Sequence, residues 1–257
     1  MVKTGIYVDA ENVRLNGGFG MRYDVLMDYA RLNGSAILRA NSYVVEDPNR
    51  LSQDPESADR LFKYFDILRN MGYKLIKKQA RIFRTDTGEV QTKANVDMDL
   101  AIDALQESEK LDRVILVSGD GDYCRLVAAL QNKGCRVEVI GFRNVAKDLR
   151  EAADRYLSGY LIPGLLPIPG ERTHRGFPDG DKVSSHGYGF FRTYKILEDR
   201  LAEETVFFHI SKLVNSAHQD KLESPTNIFE FTLEPSDRRA GDMQAANVIL
   251  AAENVRV

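Results

Sequence analysis

Five aspartates stand where a strand ends or a helix begins. Asp9 closes the apolar run TGIYVD. Asp97 and Asp99 open VDMDLAIDAL, with Asp103 one turn further on. Asp120 and Asp122 follow VILVSG and are separated by one glycine. Carboxylates gathered from separate elements would bind a hard divalent cation, which takes oxygen ligands. Mg²⁺ or Mn²⁺ held there would activate a water and neutralise charge on a phosphodiester. An ordinary alternative stands beside this one. Acids at helix N-termini cap orphan N–H groups and suit the helix dipole. Capping would account for Asp97 and Asp122 singly, with Asp99 a solvated helix residue, but it accounts poorly for Asp9 and for the recurrence at three places. Asp120 and Asp122 repel each other unless a cation lies between them, and without one a carboxylate pKa should rise. Gly121 is expected to supply the backbone freedom that turns both acids inward.

The elements that must position these acids follow from periodicity. The first 160 residues alternate strand-like and helix-like segments. YDVLMDYARLNG, SADRLFKYFDILRNMG, VDMDLAIDALQ, DYCRLVAALQNKG and LREAADRYL read as helices. TGIYVDA, AILRANSYVV, YKLIKKQARIF, RVILVSG and CRVEVIGF read as strands. That alternation predicts an α/β fold with a parallel, doubly wound sheet and helices on both faces. Ligands of such sheets bind beyond the carboxyl ends of the strands. From 161 to 180, four prolines and four glycines read as a linker. From 181 to 257, short aromatic and β-branched runs predict a small all-β domain.

Two further groups of residues could bind rather than react. GYKLIKKQARIFRT carries Lys74, Lys77, Lys78, Arg81 and Arg84 with no acid among them, a candidate track for a phosphate backbone or simply an exposed basic edge. In HGYGFF and VFFHI, residues two apart share a strand face. Tyr188 with Phe190, and Phe207 with His209, would therefore make either a platform of flat rings on which unpaired bases stack or, facing inward, the core of a barrel. The other face would then be supplied by Phe191, Val206 and Phe208. The chain has 257 residues, 35 basic and 38 acidic, for a net charge of −3. Binding to nucleic acid would therefore rest on local patches. No run approaches the ~18 apolar residues of a membrane span, and no export signal is visible, so a cytoplasmic protein with Cys124 and Cys135 as thiols is expected. No GxxxxGK[ST] occurs, which disfavours a phosphotransferase.

The motifs YVDAENV, KANVDMDLAIDAL and VSGDGDYCRLV, followed by GCRVEVIGF, resemble the signatures of the NYN domain, LabA-like branch, of the PIN-like nuclease superfamily. The resemblance covers residues 1–160. It implies a Rossmann-like sheet and a ribonuclease site using Mg²⁺ or Mn²⁺. Asp9 would be the acid of the first strand, with Asn12 supporting the water or phosphate. Asp97 would be the central acid, Asp120 and Asp122 the pair after the fourth strand, and Asp99 a further acid of ambiguous role. Lys93, which opens the second motif, joins the nucleic-acid track.

The segments around Tyr188–Phe191 and Val206–Ile210 resemble the RNP motifs of cold-shock domains, which are OB-fold barrels, and Phe229–Leu250 resembles that domain's last two strands. The chain has no Trp, so the stacking ring usual on the first strand is missing. Residues 171–257 hold 11 basic and 14 acidic side chains, so affinity there would rest on stacking more than on phosphate contacts. Together these imply a metal-dependent endoribonuclease whose barrel holds single-stranded RNA, or single-stranded DNA, since stacking tolerates either sugar. The alternative is a non-catalytic RNA-binding regulator that keeps its acids. The oligomeric state, a homodimer included, is left open.

Overall fold

The computed structural model describes residues 1–46, 54–79, 81–84, 90–93, 96–179, 183–236 and 241–255. In chain order the first part runs β1 (Lys3–Asp9), α1 (Ala10–Leu15), α2 (Tyr23–Arg31), β2 (Ala36–Glu46), α3 (Pro55–Asn70), β3 (Lys74–Gln79), β4 (Arg81–Arg84) and β5 (Val90–Lys93). It continues through α4 (Asp97–Glu107), β6 (Arg113–Val117), α5 (Cys124–Asn132), β7 (Arg136–Gly141), α6 (Lys147–Ala152) and β8 (Arg155–Ser158).

Six of these strands form one sheet in the order β3-β2-β1-β6-β7-β8, every neighbouring pair parallel. The chain builds outward from β1 in one direction and then, from β6, in the other. The point of reversal lies between β1 and β6, and the crevice above their carboxyl ends is where this architecture places a site. Strand alternation divides the burial. Ile6 and Val8 pack on one side with Leu26 of α2 and Leu68 of α3. Tyr7 packs on the other with Leu100 of α4, Leu126 of α5 and Leu149 of α6.

Three elements differ from the sequence reading. LREAADRYL is helical only as far as Ala152, after which Arg155–Ser158 pairs along the edge of β7 as a sixth strand. An unpaired sheet edge outweighs the weak propensity of a few helix-forming residues. YKLIKKQARIF divides into β3 and one arm of the antiparallel β4–β5 hairpin. In the 161–180 stretch, Leu161, Ile162, Leu165 and Leu166 are buried in the core beneath the sheet, and the last residues form a strand. Here the prolines and glycines punctuate a packed path, because the apolar residues between them outweigh the turn signals.

The remainder is β9 (His174–Asp179), the short α7 (Val183–His186), β10 (Tyr188–Leu197), β11 (Arg200–His209), β12 (Ile228–Pro235) and β13 (Met243–Ala252). The strands close into a barrel in the order β10-β11-β13-β12-β9, with β11 and β13 parallel. Renumbered within the barrel this is 1-2-3-5-4, the OB-like arrangement. Its core stacks Phe191 on Phe208 at 4.2 Å and on Phe231 at 5.0 Å. β10 and β11 are a pair of ten-residue strands joined at Glu198 and Asp199. Both turn residues have positive φ, 46° and 63°, which gives the turn a twist matching the strands.

The barrel is seated on the sheet rather than tethered to it. Ile228, Ala252 and Val255 belong to the same buried cluster as Leu26 and Leu161. The Asp199 turn accepts the Gly34 N–H through Oδ2 at 2.8 Å and the Asn33 N–H through its carbonyl at 2.8 Å. From β9, the buried Arg175 donates to Glu230 Oε1 (2.9 Å from Nε) and to the carbonyls of Leu166 and Pro167.

Candidate metal centre and nucleic-acid surfaces

Asp9 is the last residue of β1, and Asp120 lies three residues past the end of β6, so both stand at the reversal point of the sheet. Asp97 enters from the first turn of α4. Carboxylate oxygens of Asp97, Asp120 and Asp122 all lie within 4.8 Å of one another. Asp97 and Asp120 are half-buried and Asp122 is exposed, so the cluster opens to solvent. Three oxygen donors with this charge and access suit a hard divalent ion.

Asp9 stands behind this trio rather than within it. It is 4% exposed. Its Oδ1 caps α1 by accepting the Asn12 N–H at 3.0 Å, and its Oδ2 faces the hydroxyls of Ser118 at 3.4 Å and Tyr123 at 3.3 Å. Tyr123 is the residue that sequence reasoning passed over. Its buried hydroxyl also donates to Asp97 Oδ1 at 2.9 Å, so one proton stands between two acids. The signal was in the quoted motif, since an aromatic directly after GD faces back under the turn, but a ring reads as core unless its hydroxyl has a partner to find.

Capping chemistry falls on acids other than those expected. Asp9 and Asp120 are the caps, Asp120 Oδ1 accepting the Asp122 N–H at 3.0 Å. The N-cap of α4 is Val96, so Asp97 is not spent there. Asn12 Oδ1 accepts the Gly119 N–H at 2.9 Å and so braces the turn carrying Asp120. Gly121 begins a short 3₁₀ turn without positive φ. What it supplies is room, because a Cβ there would lie 3.1 Å from the Ala146 methyl.

Burial governs the electrostatics. Desolvation, more than the neighbouring Asp97 and Asp120, pushes Asp9 up to about 6 from its ordinary 3.8, against the pull of the Asn12 N–H and Tyr123. Asp97 is also raised, first by burial and then by the charges of Asp120 and Asp122, while Lys78 pulls the other way. In both acids burial is the larger cause and the neighbouring carboxylates add to it.

Asp99 is paired with Lys78 at 2.6 Å and lies outside the trio. The β3 lysines do not make one patch. Lys74 and Lys78 lie toward α4, at 3.8 Å from Asp103 and 2.6 Å from Asp99, whereas Lys77 pairs with Glu46 at 2.7 Å and sits over the Phe65 ring. Arg81 and Arg84 are on β4 and Lys93 on β5, with Arg81 and Lys93 register partners. Their side chains lie outside the described residues. On the barrel, Tyr188 pairs with His209 and Phe190 with Phe207. The Phe207 ring is 5.7 Å from Tyr188 and 5.8 Å from Phe190, and all four rings reach the surface while Phe191, Val206 and Phe208 fill the core. In an OB-like barrel the second and third strands form the face that meets oligonucleotides.

A match to the NYN domain family spans residues 3–164. Over 184 residues the chain is 28% identical to the Low amplitude and bright protein LabA of Synechococcus elongatus, a span of 68% of this chain and 91% of that protein. A solved structure of a protein of unknown function from Vibrio parahaemolyticus is 27% identical, with a TM-score of 0.49 over 61% of this chain and 92% of its own.

Proposed function

The chain belongs to the NYN domain family, and from that premise we propose that it is a cytoplasmic, Mg²⁺- or Mn²⁺-dependent endoribonuclease acting on single-stranded RNA. The family implies nuclease-type, RNA-related function. The observation that carries the finer reading is the convergence of Asp97, Asp120 and Asp122 at the sheet's reversal point. These three would hold the ion, which when bound supplies charge neutralisation and an activated water.

The chain's own residues prepare the place. Asn12 locks the Gly119 turn, so Asp120 is presented by a fixed backbone. Tyr123 holds a proton against Asp97 Oδ1 and orients that carboxylate. Asp9 adds negative charge behind the trio without occupying it. Among the described residues no histidine or unpaired lysine stands at the cluster as a general base, in keeping with chemistry that draws its nucleophile from an ion-bound water. The ring face of the barrel would hold unpaired bases of the same strand.

The test is incubation of a labelled single-stranded RNA with Mn²⁺. Wild-type protein should cleave it, and Asp120→Asn should lower the rate by at least 100-fold while leaving thermal unfolding intact. If wild type binds the RNA and leaves it whole, the protein is a non-catalytic RNA-binding regulator that keeps its acids.

A further inference from the structure

Phe19 is 81% exposed, and Leu15 nearby is 64% exposed. A lone apolar side chain on the surface asks for no explanation, but this one is held there by a loop with little freedom to move. Gly17 and Gly20 have φ of +91° and +82°. Gly18 has no room for a side chain, since a Cβ would meet Val13 and the Phe142 ring at 2.5 and 2.6 Å. The Gly18 N–H reaches the Val13 carbonyl at 2.8 Å, and Tyr160 donates to the Gly17 carbonyl. Residues 17–20 thus present one ring to solvent on a rigid mount.

That mount is joined to the acidic cluster by hydrogen bonds. Asn12, which fixes the Gly119 turn, also accepts the N–H and the side-chain amide of Asn16 through its carbonyl at 3.0 and 2.9 Å. Asn16 in turn accepts the Arg143 N–H at 2.7 Å and the Asn144 amide at 3.1 Å. Arg143 is exposed, its stem lies against Gly17, and its guanidinium has no carboxylate partner among the described residues. By contrast, Arg14 pairs with Glu11 and Lys147 with Glu151. α1 is six residues long, roughly 9 Å, and it links Asp9 to the Asn16 end of this loop. An exposed flat ring on the loop against which the Arg143 stem packs offers the two chemistries that a base and its phosphate need.

Building on the ribonuclease reading, we propose that Phe19 and Arg143 form a nucleotide subsite beside the scissile position, Phe19 stacking one unpaired base and Arg143 meeting its phosphate. This site is separate from the ring face of the barrel and governs how the strand is registered at the acids.

The absence of tryptophan makes the test direct. Phe19→Trp introduces a single indole, combined with Asp120→Asn so that RNA survives. Binding of a short labelled oligouridylate is followed by anisotropy, and stacking by quenching of the indole. Binding should be accompanied by quenching, whereas a matched oligomer of abasic sugars should bind without it. Phe19→Ala and Arg143→Ala should each raise KM for a short RNA roughly ten-fold, with kcat little changed. RNA that binds with no quenching, or an unchanged KM in both alanine variants, overturns the subsite and leaves the ribonuclease reading standing. A wild type that neither binds nor cleaves RNA overturns both.

Discussion

At the scale of single residues, the site is a set of carboxylates held at differing cost. Asp9 is raised to about 6 from 3.8, so its folded form holds a proton more tightly than its unfolded form. In metal-free protein it therefore destabilises the fold above about pH 6, and this penalty fades as pH falls toward 4. Asp9→Asn should accordingly raise metal-free stability at pH 7, by up to about 3 kcal/mol, and the gain should vanish near pH 4. Denaturant melts of both proteins across that range would show it, and a pH-independent difference would refute it. Tyr123→Phe keeps the ring and removes only the hydroxyl shared by Asp9 and Asp97. Loss of such a positioning contact should weaken Mn²⁺ binding about 10- to 100-fold, measured by calorimetric titration. The acids themselves were legible in the sequence, because each sits at an element boundary that periodicity reveals. Which of them converge was not, since Asp97 and Asp99 differ only by the turn of a helix and the position of Lys78.

Among secondary-structure elements, the parallel, doubly wound sheet was readable from alternation, whereas two of the strands were not. β8 and β9 were missed because each is short and borrows its conformation from a partner strand, which local sequence does not display. The amino end of the sheet carries a clamp that no motif announces. Buried Arg113 of β6 donates to Glu138 Oε2 of β7 at 2.6 Å, Tyr29 of α2 donates to the same oxygen at 2.9 Å, and Arg113 also reaches the Ala30 carbonyl. Burial alone would raise Glu138, but Arg113 and Tyr29 together hold it below its ordinary value. Its contribution therefore has the opposite sign to that of Asp9: it is present above pH 4.5 and lost as acid protonates the group. Glu138→Ala should cost about 3–5 kcal/mol by leaving Arg113 buried and unpaired. Because the pair lies at the end of the strands opposite the acids, kcat at permissive temperature should be unchanged. A loss of kcat at full occupancy of the fold would contradict this.

For the whole molecule, the sequence suggested two domains joined by a Pro/Gly-rich linker, and in the structure the leucines of that segment are buried, with Arg175 bonded to the Leu166 and Pro167 carbonyls and the Asp199 turn bonded to Gly34. Composition reports only that prolines and glycines are present, and cannot say whether the leucines between them find a core. Arg175→Ala combined with Asp199→Ala should split one thermal transition into two and expose residues 161–173 to protease, each visible without any activity assay. A barrel seated by these contacts has a further consequence for the products. A strand gripped on the rings and severed at the acids would be cut at one set interval, so the protein would work as a gauge. Digestion of a long homopolymer should leave fragments of narrow size, and unseating the barrel should blur them into a smear.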